Sequence, residues 1–367
     1  MPGEATTRRR LLVAAGAAMV APGCFGGSAA QPETSISTTL VRLDGPLRLL
    51  APAGAVPPEN RSSFAGEHDL TVEVRTVAHG AELIQLLSSG YPADAVLARQ
   101  DDIAALGALG LLADLDHNRI PNLSLVDSDF LDLDYDPKNR WSAPARFGAY
   151  GFGYRRGLVL RPPSDWAGFF EILPRYSLEG VSLLPGPIEP VAAALAARGQ
   201  NINTDDESAL LQAQALLVAA KPHVNLFTTD EVARFGHGEL ILAMGSSADF
   251  DRVMALPGRS LDTVFVLPEG LSEMWIDGWA VPAAGHHPLT AQAWIDHALS
   301  ASAAARAWQA SRVAAPERSA ARLLPASLRA NHLAALDPAL VKHYQLSVLT
   351  PVGLQKRADI WERVSGQ

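Results

Sequence analysis

From Leu47 onward the chain alternates short apolar runs of strand length with stretches of helical spacing, and this alternation restricts the fold more than any other feature. Leu47-Arg48-Leu49-Leu50, residues 70–74 and Ala95-Val96-Leu97 read as strands, and helices are expected over 81–87 and 102–112. The pattern resumes after Tyr150, with strands expected over 239–244 and 263–267 and Ala-rich helices over 289–299 and 302–310. Thr204-Asp205-Asp206-Glu207 has the spacing of a capping box, in which Thr204 accepts from the backbone and Glu207 reaches back. The helix it opens is expected to stop at Lys221-Pro222, and residues 338–364 carry further helical spacing. Strands interleaved with helices predict an α/β protein with a mixed or parallel sheet.

The first 24 residues stand apart from that pattern. The twin-arginine stretch Thr7-Arg8-Arg9-Arg10 opens onto an apolar run over 11–20 and closes at Ala21-Pro22-Gly23-Cys24, which reads as an export signal. Cys24 is the single cysteine of 367 residues, so no disulfide forms within the chain, and its place at the end of the apolar run makes it the expected lipidation site of an exported lipoprotein. The alternative is a cleaved signal with an incidental cysteine, since Ala21 and Pro22 depart from the usual lipoprotein pattern. Residues 25–45 are rich in Gly, Ser, Thr and Pro, the composition of a flexible spacer. Beyond the signal no apolar run reaches the ~20 residues that span a bilayer. The expected location is the outer face of the cytoplasmic membrane, reached by export and held by a lipid on Cys24.

Without residues 1–24 the chain carries 27 basic and 38 acidic side chains, a formal net of −11 against −9 for the whole. Nucleic acid is excluded as a partner, because phosphate binding needs clustered positive charge. The length after the signal is large for one core and suggests two domains.

Local motifs for chemistry fail on inspection. Asp132-Leu133-Asp134-Tyr135-Asp136 opens like a calcium loop, but Pro137 stands where a flexible Gly is required and Ala143 where the closing Glu belongs. Gly245-Ser246-Ser247 follows a strand without the second Gly of a nucleophile elbow. His286-His287 has no further ligand at zinc spacing, and Gly148, Gly151 and Gly153 do not have the spacing of a phosphate loop. These glycines instead mark a strand where backbones approach closely or the chain crosses between lobes. The residues point to no enzyme, no metal and no cofactor.

Longer segments are more telling. Asp94-Ala95-Val96-Leu97, residues 110–116, Arg119-Ile120-Pro121-Asn122-Leu123 and residues 134–144 resemble, in order and spacing, the polyamine (spermidine/putrescine)-binding proteins of ABC importers. The likeness continues through Phe147-Gly148, Asp165-Trp166, Gly238-Glu239, residues 274–282 and Tyr344-Gln345, and so covers nearly all of the chain from Leu47. The resemblance implies a type II periplasmic-binding-protein fold, two α/β lobes with a ligand clamped in the cleft between them. The segments are assigned to one lobe over 46–146 with 278–325, and to the other over 147–277 with 326–367.

In that family aromatic rings face the ligand's methylenes and cations, and carboxylates bind its ammonium groups. By the resemblance, Trp275 supplies a stacking face, Asp277 an ammonium acceptor and Gln345 an amide. Plainer roles stay open: Trp275 as core packing, Asp277 as a stabiliser of an interlobe crossover, and Arg99 as the partner of Asp101 or Asp102. The chain also departs from the pattern, with Pro52 and Ala55 in place of an aromatic pair and Arg99 and Asp101 in place of a serine and a tyrosine. The family's acidic pair falls near Pro187 and Pro190, Gly245-Ser246-Ser247 stands where a tryptophan is expected, and Val313 replaces a tyrosine. Arg99, Asp101 and Ser246 therefore join Trp275, Asp277 and Gln345 as candidate ligand contacts. The expectation is a monomeric, lipid-tethered receptor that hands a polyamine or related small amine to a membrane permease. The alternatives are a receptor for a zwitterion, with Arg99 on a carboxylate and Asp277 on an amine, and a degenerate receptor with a structural or signalling role.

Overall fold

The computed structural model describes residues 43–366 apart from 44, 79, 178, 179, 332, 334 and 335. The export signal, Cys24 and all of the spacer except Leu43 and Gly45 lie outside the described residues.

The first apolar run becomes β1 (Leu47–Ala51), almost wholly buried, as a strand covered on both faces must be. Helix α1 (Pro58–His68) crosses to β2 (Val72–Thr76), and α2 (Ala81–Ser88) to β3 (Ala95–Arg99). β2 and β3 flank β1 in parallel register, joined through helical crossovers. Helix α3 (Gln100–Ala108) and four short 3-10 turns then lead into β4 (Ser142–Arg155), the longest strand at 14 residues.

A second series follows: α4 (Trp166–Tyr176), β5 (Val181–Leu183), α5 (Glu189–Ala197), α6 (Glu207–Ala220), β6 (Leu226–Phe227), α7 (Glu231–His237), β7 (Leu242–Ser246) and α8 (Ser247–Ala255). β8 (Thr263–Val266) and β9 (Glu273–Ala280) return the chain, helices Pro288–Ala298 and Ala301–Ser311 follow, and β10 (Gln345–Leu346) precedes the last helix, Pro351–Ser365. Among the described residues the ten strands pair in the order β2-β1-β3-β9-β4-β7-β5-β6, with β10 beside β9 and β8 beside β4.

Two strands give this network its two lobes. The first half of β4 pairs antiparallel with β9, from Ser142 to Ala149, while its second half, from Tyr150, pairs with β7 and β8. β9 in turn reaches β3 through Val96 to Arg99. One core gathers β1, β3 and Phe64, Phe130, Phe147 and Trp294. The other gathers Phe152, Trp166, Phe169, Leu242 and Met244 under α4 to α6. Leu328 and Leu336 pack in the first core, Ile360 and Val364 in the second. The architecture is the two-lobed type II fold, with β4 and β9 as its crossover strands.

Local chemistry explains where the elements fall differently from the sequence reading. Helix α6 is capped by Asp206, whose Oδ1 accepts from Ala209 N at 2.8 Å, and Thr204 Oγ1 accepts from Asp206 N instead. Of two adjacent capping sets the aspartate wins, so the helix starts at Glu207. The acidic loop is likewise structural at its end. Asp136 is buried and accepts from Trp141 N, Ser142 N and Ser142 Oγ, fixing the entry to β4. His286 N and His287 N both donate to Asp94 Oδ1, which ties the turn after β9 to the start of β3.

Candidate functional site

Where β3, β9 and β4 lie side by side, Arg99 pairs in register with Asp277, and Asp277 with Arg146. The three side chains thus form one row across the crossover, acid between two guanidiniums. Asp277 is fully buried, and Arg146 Nε and Nη2 both donate to its Oδ2 at 2.7 Å. Asp277 therefore serves the crossover itself, since its charge compensates an arginine 131 residues away. Two residues earlier on the same face, Trp275 lies opposite Gly148. A Cβ at Gly148 would stand 2.5 Å from the indole Cζ2, so glycine here makes room for the ring. The guanidinium carbons of Arg99 and Arg146 lie 5.5 and 5.9 Å from the Trp275 ring centroid, within cation–π range.

The second lobe completes the wall. Arg99 Nη1 donates to Tyr150 Oη at 3.0 Å, Tyr150 O–H donates to Glu189 Oε1 at 3.1 Å, and Arg99 reaches the same oxygen at 3.6 Å. Burial opposes the charge of Arg99, but the Tyr150 hydroxyl and the carboxylates of Asp277, Asp101 and Glu189 outweigh it and hold its pKa well above the ordinary range. Burial drives the Tyr150 hydroxyl up in turn, against the opposing pull of Arg99. Ser246 ends β7 and caps α8: its Oγ accepts from Asp249 N, and its O–H donates to Asp249 Oδ2. Arg252 meets the other oxygen of Asp249 at 3.2 Å.

These groups line a cavity of about 460 Å³, the size of a small-molecule site, together with Pro52, Ala53 and Gly54 after β1. Of the residues singled out in the sequence, Trp275, Asp277, Arg99 and Ser246 line it. Gln345 does not: its Oε1 accepts from Ile202 N at 2.9 Å and pins β10 to the loop before α6. Asp101 does not either, and acts on the site as one of the charges around Arg99. Ala55 also lies outside the wall, whereas Val313 is part of it.

Five further charged residues of the wall are not among the sequence candidates: Arg146, Glu189, Glu231, Asp249 and Arg252. Glu189 sits between the two prolines that took the place of the acidic pair, so the carboxylate is present one position away. Arg146 had a findable signal, the one cation in the half of β4 that faces the segment carrying Trp275 and Asp277. Buried and unpaired groups remain in the wall. Trp275 Nε1 and Arg99 Nε are donors without an acceptor among the described residues, and both oxygens of Glu231 are acceptors without a donor from any other. A site with open donors and open acceptors is chemically built for a ligand that supplies both kinds of group.

A hinged two-lobed fold with a polar, partly aromatic interlobe cavity defines a solute-binding protein. The chain belongs to the bacterial extracellular solute-binding protein family, whose profile matches residues 61–335. It is 30% identical over 220 residues to a putrescine/cadaverine-binding protein of Pseudomonas aeruginosa, covering 58% of this chain and 62% of that one. It is 28% identical over 214 residues to spermidine/putrescine-binding periplasmic protein 1 of Haemophilus influenzae, covering 58% of this chain and 57% of that one. The matches thus span somewhat under two thirds of these relatives' lengths. In fold it is similar to the spermidine/putrescine ABC transporter substrate-binding protein of Streptococcus pneumoniae, with a TM-score of 0.78 at 19% identity over 87% of this chain and 98% of that one.

Proposed function

We propose that the protein is the extracytoplasmic receptor of an ABC importer, binding a polyamine or related small amine in the interlobe cavity and delivering it to a membrane permease. The observation that carries this reading is the wall of the cavity: the Trp275 and Tyr150 rings beside the carboxylates of Glu189, Asp277, Asp249 and Glu231. The names of the Pseudomonas and Haemophilus relatives, which bind putrescine, cadaverine or spermidine, support it. The role is binding and release, not catalysis. A calorimetric titration with putrescine, cadaverine and spermidine tests it: saturable one-to-one binding of at least one is expected, and no heat from any of them overturns the reading.

A second reading within the same class is favoured by one observation. Arg99 and Arg146 already lie against Trp275, and the open Nε–H of Arg99 and Nε1–H of Trp275 seek an acceptor. A second cation placed there meets like charge, whereas a carboxylate meets two donors. On this reading the ligand is an amino acid with its amine and carboxylate at opposite ends, and 4-aminobutanoate outcompetes putrescine in the same titration.

Export and tethering belong to the proposal as well. The family's extracellular character supports export, and among the described residues no helix is long and apolar enough to cross a membrane. Attachment then falls to a lipid on Cys24, with two acyl chains needed for firm retention. Release of the Cys24→Ala variant from the membrane fraction is expected; retention equal to wild type contradicts the anchor.

A further inference from the structure

Glu231 is 1% exposed and lines the cavity, yet no other described residue donates a hydrogen bond to either of its oxygens. The remaining carboxylates of the wall are engaged: Asp277 by Arg146, Glu189 by Tyr150 and Arg99, Asp249 by Ser246 and Arg252. Glu231 packs instead beside Gly245 of β7, where an added Cβ would stand 3.7 Å from its Cγ and 2.9 Å from the Phe250 ring. The charged groups that reach it are Asp249 and Arg252 on α8 and Asp230 at the head of its own helix, two acids against one base.

We propose that Glu231 is the ammonium-binding carboxylate of this cleft, and that it gives up a proton to solvent as the cationic end of the ligand docks. The inference rests on the amine reading of the cavity. A buried carboxyl without donors favours its neutral form, because an unpaired charge away from water costs far more than an unpaired dipole. Burial, with Asp249 and Asp230 adding to it, pushes Glu231 up to about 8 against the weaker pull of its own amide and Arg252. In the free receptor at neutral pH it is therefore mostly the acid. An arriving ammonium supplies the missing donor and the missing countercharge together. The carboxyl turns about its side-chain bonds toward the cavity, its O–H bond breaks, the proton passes to the buffer, and a carboxylate–ammonium pair remains with no covalent change in the ligand. Asp277, whose partner is built into β4, has no such vacancy to fill.

Binding is then linked to pH through one group. The amine of putrescine or 4-aminobutanoate stays charged between pH 6 and 8, as a lysine does, so the linkage comes from the protein. Affinity for either probe should rise about fifty-fold from pH 6 to pH 8, and binding at pH 7 should release about 0.9 proton. Calorimetric titrations of the full chain with both probes, in phosphate and in Tris, read the proton directly from the difference in buffer ionisation heat. E231Q, checked for folding by circular dichroism, should bind at least about tenfold more weakly at pH 8, with affinity flat in pH and no proton release. The wild-type proton count stands as a test even where the variant fails to fold. Probes that bind wild type without proton release, or that bind E231Q as tightly and with the same release, overturn the assignment to Glu231 while leaving the amine reading intact. Failure of every amine to bind wild type overturns both. Glu273 is also buried and raised but lies outside the cavity wall, and proton release that persists in E231Q would point to it instead.

Discussion

The crossover strands and the second-lobe wall each bury a carboxylate in the same cavity and treat it in opposite ways. Asp277 sits on β9 between two arginines contributed by neighbouring strands, and its charge is compensated inside the sheet. Glu231 heads a seven-residue helix, and no other described residue donates to it. A buried charge with a partner supports the fold, and a buried acid without one is held in reserve for something the protein does not contain. The difference separates a compensated acid from an uncompensated one within a single wall of side chains, and on the proposed reading the ammonium position lies in the second lobe.

Removing the compensated carboxylate should have the largest effect. Asp277→Ala leaves Arg146, 12% exposed, and Arg99, 19% exposed, without the charge between them. A loss of about 3 kcal/mol in urea denaturation is expected, because breaking a buried pair strands the surviving partner. A loss under about 1 kcal/mol would mean the row across β3, β9 and β4 is not structural.

Removing the uncompensated one should act in the other direction. The native protein keeps a proton on Glu231 up to about pH 8, which an unfolded glutamate loses near 4.5, so wild-type stability falls as pH rises between those values and levels above them. Glu231→Gln has no such fall. The variant should match wild type near pH 4.5 and exceed it by about 2 kcal/mol at pH 6, and by more at pH 8, in the ligand-free state, measured by thermal melting at the three pH values. A variant less stable than wild type at pH 8 would place Glu231 with Asp277 as a structural acid.

A smaller effect is expected where the two regions meet. Gly148→Ala puts a methyl 2.5 Å from the Trp275 indole and should cost about 1 to 2 kcal/mol through displacement of the ring. Because that ring lines the cavity, putrescine affinity should drop alongside; stability lost with affinity intact would detach Trp275 from the ligand.

The fold was legible where residues close in sequence decide the structure. β1 and β3 announce themselves as short, mainly apolar runs, and the helices at Pro288–Ala298 and Ala301–Ser311 fall within a residue of their expected bounds. The segment holding Trp275 and Asp277 was recognisable because its pattern is contiguous. What those residues do was not, since the role of Asp277 depends on an arginine 131 positions away, and Gln345 is claimed by the amide of Ile202, 143 positions away. Glu231 lies in Thr228-Thr229-Asp230-Glu231, which reads like any polar helix start. Only its burial beside Gly245 and the absence of a donor among the other described residues distinguish it, and both are properties of packing.

The account stands on the interlobe cavity being the binding site, and the emission of Trp275 reports on it directly. Taken as the difference between wild type and Trp275→Phe, to remove the other six tryptophans, that emission is titrated with putrescine and with 4-aminobutanoate. A saturable change whose midpoint matches the calorimetric one is predicted for at least one of them. Calorimetric binding without any response from Trp275 would place the ligand elsewhere and contradict the account.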